Sequence, residues 1–247
     1  MPGPRIYQPL PLQPDQTLQL TEQASHHLAR VLRAQVGDAL IIFNGQGGEY
    51  EASITEITKK SVHVKLLHFQ ARESESPVHI HLAQGMARGE KMDVIVQKAV
   101  ELGVTHITPL ITERCNVRLD KDREEKRLAH LEAVMISACE QSGRNRIPLL
   151  DAPISYPLWL STVKADLAFV LSPHVDHKLP QLELSDHASI ILLIGPEGGL
   201  SDQEVELAIQ QGFLPLNLGP RILRTETASL AAISTLQWQY GDFRRVD

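Results

Sequence analysis

A chain of 247 residues, 43% hydrophobic and 22% charged, can form one large domain or two smaller ones with real cores. Its formal charge of -6 excludes a protein that gathers polyanions through its overall field, so any nucleic-acid contact must come from local basic patches. Aromatics at 4% argue against a base-stacking platform, and no apolar run approaches bilayer-spanning length. Met1-Pro2-Gly3-Pro4-Arg5 lacks the apolar centre of a signal peptide, so a cytoplasmic location is expected. Cys115 and Cys139 have no CxxC spacing and no His/Cys cluster beside them, which favours buried thiols over a disulfide or metal site.

Residues 5–70 read mostly as β. One helix is expected from Glu22 to Arg33, with Leu28, Val31 and Leu32 on one face. Ala39 to Phe43 is an apolar run ended by Asn44-Gly45, a strong hairpin signal. Glu49 to Ile57 alternates, Ser61 to Leu66 alternates again, and Lys59-Lys60 marks the turn between them. Short strands at this spacing predict a small barrel. The polar stretch from Gln70 to Pro77 reads as a linker, dividing the chain into residues 1–72 and 73–247.

The second part reads as α/β. Val78, Ile80 and Leu82 alternate as a strand. Lys91 to Leu102 has Met92, Ile95, Val96, Ala99 and Leu102 at helical intervals, with Gly103 as a C′ stop. Thr105 to Ile111 completes a βαβ unit, which favours a parallel sheet. A long helix is expected from Arg123 to Gln141. Strands follow at Leu167–Leu171, Ile190–Ile194 and Leu214–Leu218, with helices at Asp202–Gln211 and Thr227–Tyr240. Ser201 and Glu204 form a capping-box signature, and Leu200 with Val205 a hydrophobic staple.

Two apolar strands run straight into Gly-Pro corners that open helices: Ile194-Gly195-Pro196-Glu197-Gly198-Gly199-Leu200, and Leu218-Gly219-Pro220-Arg221-Ile222-Leu223-Arg224-Thr225-Glu226. Gly and Pro at strand ends allow sharp bends and let a ligand touch the backbone. Two such corners close together predict one small-molecule pocket lined by main chain. There is no GxGxxG after a first strand and no GxxxxGK[ST], so ordinary dinucleotide and P-loop sites are not indicated. Gly198-Gly199 at a helix start suits an anion, but Glu197 beside it would repel phosphate. A ligand with a neutral or cationic contact fits better, and S-adenosylmethionine carries a sulfonium.

These two corners resemble the C-terminal motifs of SPOUT-class RNA methyltransferases. With Gln97-Lys98-Ala99-Val100-Glu101-Leu102-Gly103, Thr112-Glu113-Arg114-Cys115, Glu140-Gln141-Ser142-Gly143-Arg144-Asn145 and the N-terminal His26-His27-Leu28, Val31-Leu32-Arg33 and Gly37-Asp38, they resemble the RsmE family, which methylates N3 of a uridine in 16S ribosomal RNA. The resemblance covers residues 5–240, with one departure: Cys115 stands where Ser is expected. It implies an N-terminal PUA-like β-barrel that binds RNA (1–72) and a C-terminal α/β SPOUT domain with a trefoil knot (73–247), which periodicity alone would never suggest. It also implies a homodimer, with S-adenosylmethionine bound against Leu171-Ser172-Pro173, Ile194-Gly195-Pro196-Glu197-Gly198, and Leu218, Gly219, Ile222, Leu223, Arg224 and Ala228. The partner is then 16S rRNA or the small ribosomal subunit.

N3 of uracil holds a proton and is not nucleophilic until that proton leaves. A fixed cation beside O2 or O4 favours the imide anion, and a carboxylate can take the proton. The base must also be unpaired or extruded to expose N3. Arg224 is the candidate cation, Glu226 the candidate base or orienter. Lys98 lies in a stretch resembling the segment where related enzymes carry a catalytic Arg, though pairing with Glu101 is the competing reading. Arg114 and Arg144 are candidate phosphate contacts near the target, and Arg5 and Arg33 candidate RNA contacts on the small domain. His79 and His81 share a strand face as metal ligands would, but no third ligand is apparent, so no metal is expected. Ala228, Ser229, Ala231 and Ala232 permit close helix packing or a dimer seam. Two alternatives stay open: a SPOUT enzyme acting on tRNA or a ribose 2′-hydroxyl, and a non-catalytic RNA-binding module on the same scaffold.

Overall fold

The structure, a computed structural model, describes residues 3–115, 121–172 and 179–244. The chain divides into two compact units: residues 1–75 with 136–147, and residues 76–135 with 148–247.

The first unit holds β1 (Arg5–Tyr7), β2 (Thr17–Gln19), α1 (Glu22–His26), β3 (Ala39–Phe43), β4 (Glu49–Ile57) and β5 (Val62–Gln70). They form a five-stranded sheet in the order β1-β3-β4-β5-β2, antiparallel except for β1 beside β3. Alternation puts Leu40 and Ile42, Ala52 and Ile54, and Val62, Val64 and Leu66 into one core with Ile6, Leu18 and Leu28. The expected helix forms only in part. After His26 the chain widens into a π turn, His27–Val31, in which Leu32 N–H bonds back to His27 O. The wider turn breaks the helical spacing, so Leu28 is buried while Val31 and Leu32 are 60% and 45% exposed. β1 and β2, three residues each, are too short for periodicity to reveal.

The second unit holds β6 (His79–Gly85), α2 (Glu90–Glu101), β7 (Val104–Ile111), most of α3 (Lys121–Ser142), β8 (Leu149–Leu150), β9 (Ile154–Ser155), α4 (Tyr156–Thr162), β10 (Leu167–Leu171), β11 (Ser189–Ile194), α5 (Asp202–Gln210), β12 (Leu214–Leu216) and α6 (Thr225–Gln239). The sheet runs β12-β10-β11-β6-β7-β8, with β9 also on β7, and every pairing is parallel. A parallel sheet is covered on both faces. Along β6, Gln84 reaches Thr225 and Ser229 of α6, while Ala83, on the other face, joins Tyr156, Trp159 and Leu160 of α4 in a core cluster. The capping box at Ser201 and Glu204 is formed as expected, and Gly103 takes a φ of +85° after α2. α4 was missed, although Pro157 in its first turn is a helix-start signal. The predicted strand at Leu214–Leu218 stops at Leu216, because Asn217 Oδ1 accepts the Gly219 N–H at 2.8 Å and turns the chain. Cys139 is buried, its thiol pushed up to about 12 by desolvation, and Cys115 is half-buried. Among the described residues no helix is long and apolar enough to cross a membrane.

Candidate active site

In a parallel sheet the crevice for a ligand lies beyond the carboxyl ends of the strands. β10, β11 and β12 end at Leu171, Ile194 and Leu216, and all three residues line one cavity of about 500 Å³. The segments that follow complete it. From the sequence expectation Leu171, Ser172, Ile194, Gly195, Pro196, Glu197, Gly198, Leu218, Gly219, Ile222, Leu223 and Ala228 all line this cavity, and so does Arg114. Pro173 lies outside the described residues. Arg221 and Thr225, within the second corner read as pocket wall, also line it, and so do Asn217, Asp202 and Glu206, which sequence reasoning missed. Asn217 directly precedes the second corner, so extending that motif by one residue would have found it.

The first corner is a tight main-chain turn. Gly199 N–H donates to Pro196 O at 2.9 Å, and the Arg114 guanidinium donates to Gly198 O and Leu200 O, both at 3.1 Å. Arg114 therefore braces the corner. Glu197 turns away from the glycine amides: it accepts the Arg88 N–H at 3.0 Å and pairs with Lys91 at 3.3 Å. Burial pushes its pKa up, but the Arg88 amide and Lys91 outweigh that and leave the carboxyl below its ordinary range. The walls carry Glu197, Asp202 and Glu206 together with Arg114 and Arg221, so the cavity presents both signs of charge to a ligand.

Arg224 does not line the cavity but sits between Leu223 and Thr225, which do. It is the N-cap residue of α6; its carbonyl accepts the Ala228 N–H at 2.8 Å and its side chain is exposed. Glu226, in the first turn, has one buried carboxylate oxygen without a hydrogen-bond partner. Lys98 is elsewhere on α2, its ammonium held by both Glu101 oxygens at 2.8 and 3.0 Å, which is the competing reading of that residue. In the first unit Arg5 pairs with Glu49 and Asn145, and Arg144 is 3% exposed and paired with Glu75. Burial raises the Glu49 carboxyl, yet Arg5 and Arg72 bring its net pKa below the usual value. These guanidiniums tie the unit together as they stand. Arg33 is exposed, with a φ of +53° after the π turn.

The histidine reading changes with the structure. The expected His79 and His81 pair is not the one that clusters: His79 stacks on His187 at 5.5 Å, while His106 and Asp151 lie with His81 so that one potential ligand atom of each falls within 4.8 Å of the others. Their arrangement is a hydrogen-bonded ladder. The rings of His81 and His106 stack at 3.8 Å and 10°, His81 Nε2 meets Thr108 Oγ1 at 2.7 Å, and Asp151 Oδ2 accepts from Thr108 and from His106, the latter at 2.7 Å. Because Thr108 donates its proton to Asp151, it accepts from His81. Burial, then the neighbouring His106, brings His81 down to about 4 from 6.5, against the pull of Asp151. A histidine lowered in the fold binds its proton first in the unfolded chain, so stability is full above pH 6.5 and is lost as pH falls toward 4. The wild type should lose roughly 3 kcal/mol across that window relative to His81→Gln. Urea unfolding at several pH values checks this; parallel pH curves for the two proteins would contradict it.

The comparisons with known proteins agree with this geometry. Residues 74–237 match the RNA methyltransferase domain family, and residues 20–67 match the RNA methyltransferase PUA domain. Fold and cavity thus define an RNA methyltransferase. The chain is 41% identical over 240 residues to ribosomal RNA small subunit methyltransferase E of Buchnera aphidicola subsp. Schizaphis graminum, covering 97% of each chain. It is 30% identical to the Bacillus subtilis protein of the same name, covering 90% of each. Among solved structures, Lpg2936 from Legionella pneumophila, in complex with bound cofactor SAM, superimposes with a TM-score of 0.93 at 43% identity, over 98% of this chain and 100% of that one. Ribosomal RNA small subunit methyltransferase E from Neisseria gonorrhoeae, bound to S-adenosyl methionine, gives 0.90 at 40% identity, over 98% and 99%. The chain belongs to the family of ribosomal RNA small subunit methyltransferase E.

Proposed function

We propose that this protein transfers the methyl group of S-adenosylmethionine to N3 of a uridine in 16S rRNA of the small ribosomal subunit. The observation that carries the reading is the main-chain cavity at the ends of β10, β11 and β12 in a chain of this family. Its volume of about 500 Å³ falls within the usual range for small-ligand sites, roughly 300–1,000 Å³. The residues present fit the cofactor. Ile194, Leu216, Leu218 and Ala228 would offer an apolar slot for adenine, backbone groups of both corners would be available to its polar edge, and Asp202 and Glu206 would be available to a sulfonium or an ammonium. Gly195 leaves no room for a side chain, as a wall pressed against its own turn requires.

When bound, S-adenosylmethionine supplies an electrophilic methyl group on a cationic sulfur. The protein contributes position and charge. The two corners hold the ligand between strand ends, fixing its orientation for in-line attack. In this reading Arg224, the N-cap residue of α6 and exposed beside the cavity, steadies the negative charge that grows on a uracil oxygen as N3 loses its proton. Glu226, whose carboxylate has an unused acceptor one residue beyond Thr225, is the proton acceptor in this reading. Lys98, occupied by Glu101, is left out of the mechanism. Residues 1–72 act as a PUA-like barrel that grips RNA with Arg33, and residues 73–247 as a knotted catalytic domain. The enzyme works in the cytoplasm as a homodimer; Ile222 and Trp238, 90% and 57% exposed, are apolar surface that a second copy would cover.

Methylation of purified small subunits with labelled S-adenosylmethionine, followed by nucleoside digestion, tests the proposal. Label in N3-methyluridine is the expected result. Label in a ribose or another base would overturn the assignment of the target atom.

A further inference from the structure

Gln84 stands out in a strand that is otherwise apolar on that face. It is fully buried in β6, between β11 and β7, yet it carries an amide where Ile80 and Leu82 precede it. The parallel ladder between β6 and β11 ends at the pair Gln84 and Ile194, so the next carbonyl, that of Gly195, has no rung to receive it. The Gln84 side chain supplies one. Its Nε2, with two protons to give, lies within donating distance of Gly195 O at 3.2 Å, Gly85 O at 2.9 Å and Thr225 Oγ1 at 3.1 Å, and its Oε1 lies 2.7 Å from Ser229 Oγ, a hydroxyl it shares with Thr225 O at 2.8 Å. Thr225 Oγ1 in turn donates to Gly195 O at 2.7 Å. One buried amide thus bridges the end of β6, the first corner and the first two turns of α6.

Gly195 and Thr225 both line the cavity, one from each Gly-Pro segment, and Gln84 does not. The end of β6 lies close against the first corner: a Cβ on Gly85 would stand 2.5 Å from Pro196 N. Backbone packed this closely needs its polar groups paired, and Gln84 pairs them across three segments. We propose that Gln84 is a positioning residue for S-adenosylmethionine binding, setting the separation of the two corners without touching the ligand. The proposal rests on the cofactor reading above.

The test is calorimetric titration of S-adenosylmethionine into the full-length wild type, Gln84→Met and Thr225→Ser, with thermal unfolding of each. Gln84→Met keeps the side-chain length and removes the amide, leaving two cavity-wall groups short of a donor. Its Kd should rise about tenfold, as expected for the loss of a buried hydrogen-bond partner. Thr225→Ser retains the hydroxyl that pairs with Gln84, so its Kd should rise less than that of Gln84→Met. Hydrogen exchange at residues 195–200 should quicken in Gln84→Met alone. A lowered Tm with Kd within twofold would mean a purely structural glutamine and overturn the inference. Should Gln84→Met fail to fold, Ser229→Ala leaves Gln84 in place without its Oε1 partner and should weaken binding by about threefold; unchanged Kd there also overturns it. A wild type that binds no S-adenosylmethionine overturns the cofactor reading itself, a failure distinct from the other two.

Discussion

Gly195→Ala should weaken S-adenosylmethionine binding by at least about 100-fold while the chain still folds. A Cβ at this position would stand 2.5 Å from Leu200 N, 2.6 Å from Gly199 C and 2.9 Å from Gly199 Cα. All three are backbone atoms, so no rotamer change relieves the clash and the turn must open. It opens against the Gly199-to-Pro196 bond and the two bonds from Arg114. Leu200 leads directly into the capped start of α5, so the displacement also reaches the wall that carries Asp202 and Glu206. Overpacking of this kind costs roughly 1–3 kcal/mol, which a chain of this size survives. Gly219→Ala is the control. Among the described residues, nothing beyond its own chain neighbours lies within 4 Å of its would-be Cβ, and its φ of +97° is what resists the change. Strain there costs of order 1 kcal/mol, so a smaller loss of affinity is expected. Titration calorimetry with circular dichroism on both variants decides the matter. Equal, unchanged affinities would place the cofactor elsewhere.

Arg224→Ala should lower kcat by about 10²-fold and leave cofactor affinity within about threefold, the pattern for losing one transition-state contact. The side chain is exposed beside the cavity and lines none of it, so truncation removes charge without removing a wall. The backbone role survives, because the carbonyl that caps α6 belongs to any residue. Arg224→Lys should recover part of the rate, since a point charge remains but the planar fork is gone. Single-turnover kinetics on small subunits measures this directly. Near-normal turnover in Arg224→Ala would remove the residue from the mechanism.

Much of this was legible before folding. The Gly-Pro corners, the capping box at Ser201 and Glu204, and the amphipathic face of α2 are local signals, and each appears where the sequence places it. Twelve of the residues expected at the pocket line the cavity, because a sharp main-chain corner advertises itself by its own glycines and prolines. The basic residues were less legible. An arginine has the same letter whether it meets solvent, as Arg33 does, or disappears against Glu75, as Arg144 does. Nothing near Arg144 in the chain announces an acid 69 residues earlier.

The sequence by itself determined the longer elements, the two bends and the resemblance to the family, since periodicity, turn chemistry and contiguous motifs are written within short stretches, while α4 and the strands of two or three residues at β1, β2, β8 and β9 escaped it. Tertiary structure decided which side chains meet. Gln84 reaches a hydroxyl 141 residues away, and His81 finds its ladder on β7 and just beyond β8. Parallel strands place distant segments side by side, and the register that aligns them is set by the buried faces of the whole sheet. No local pattern carries that information, because the energy that fixes it belongs to burial shared among all the strands at once.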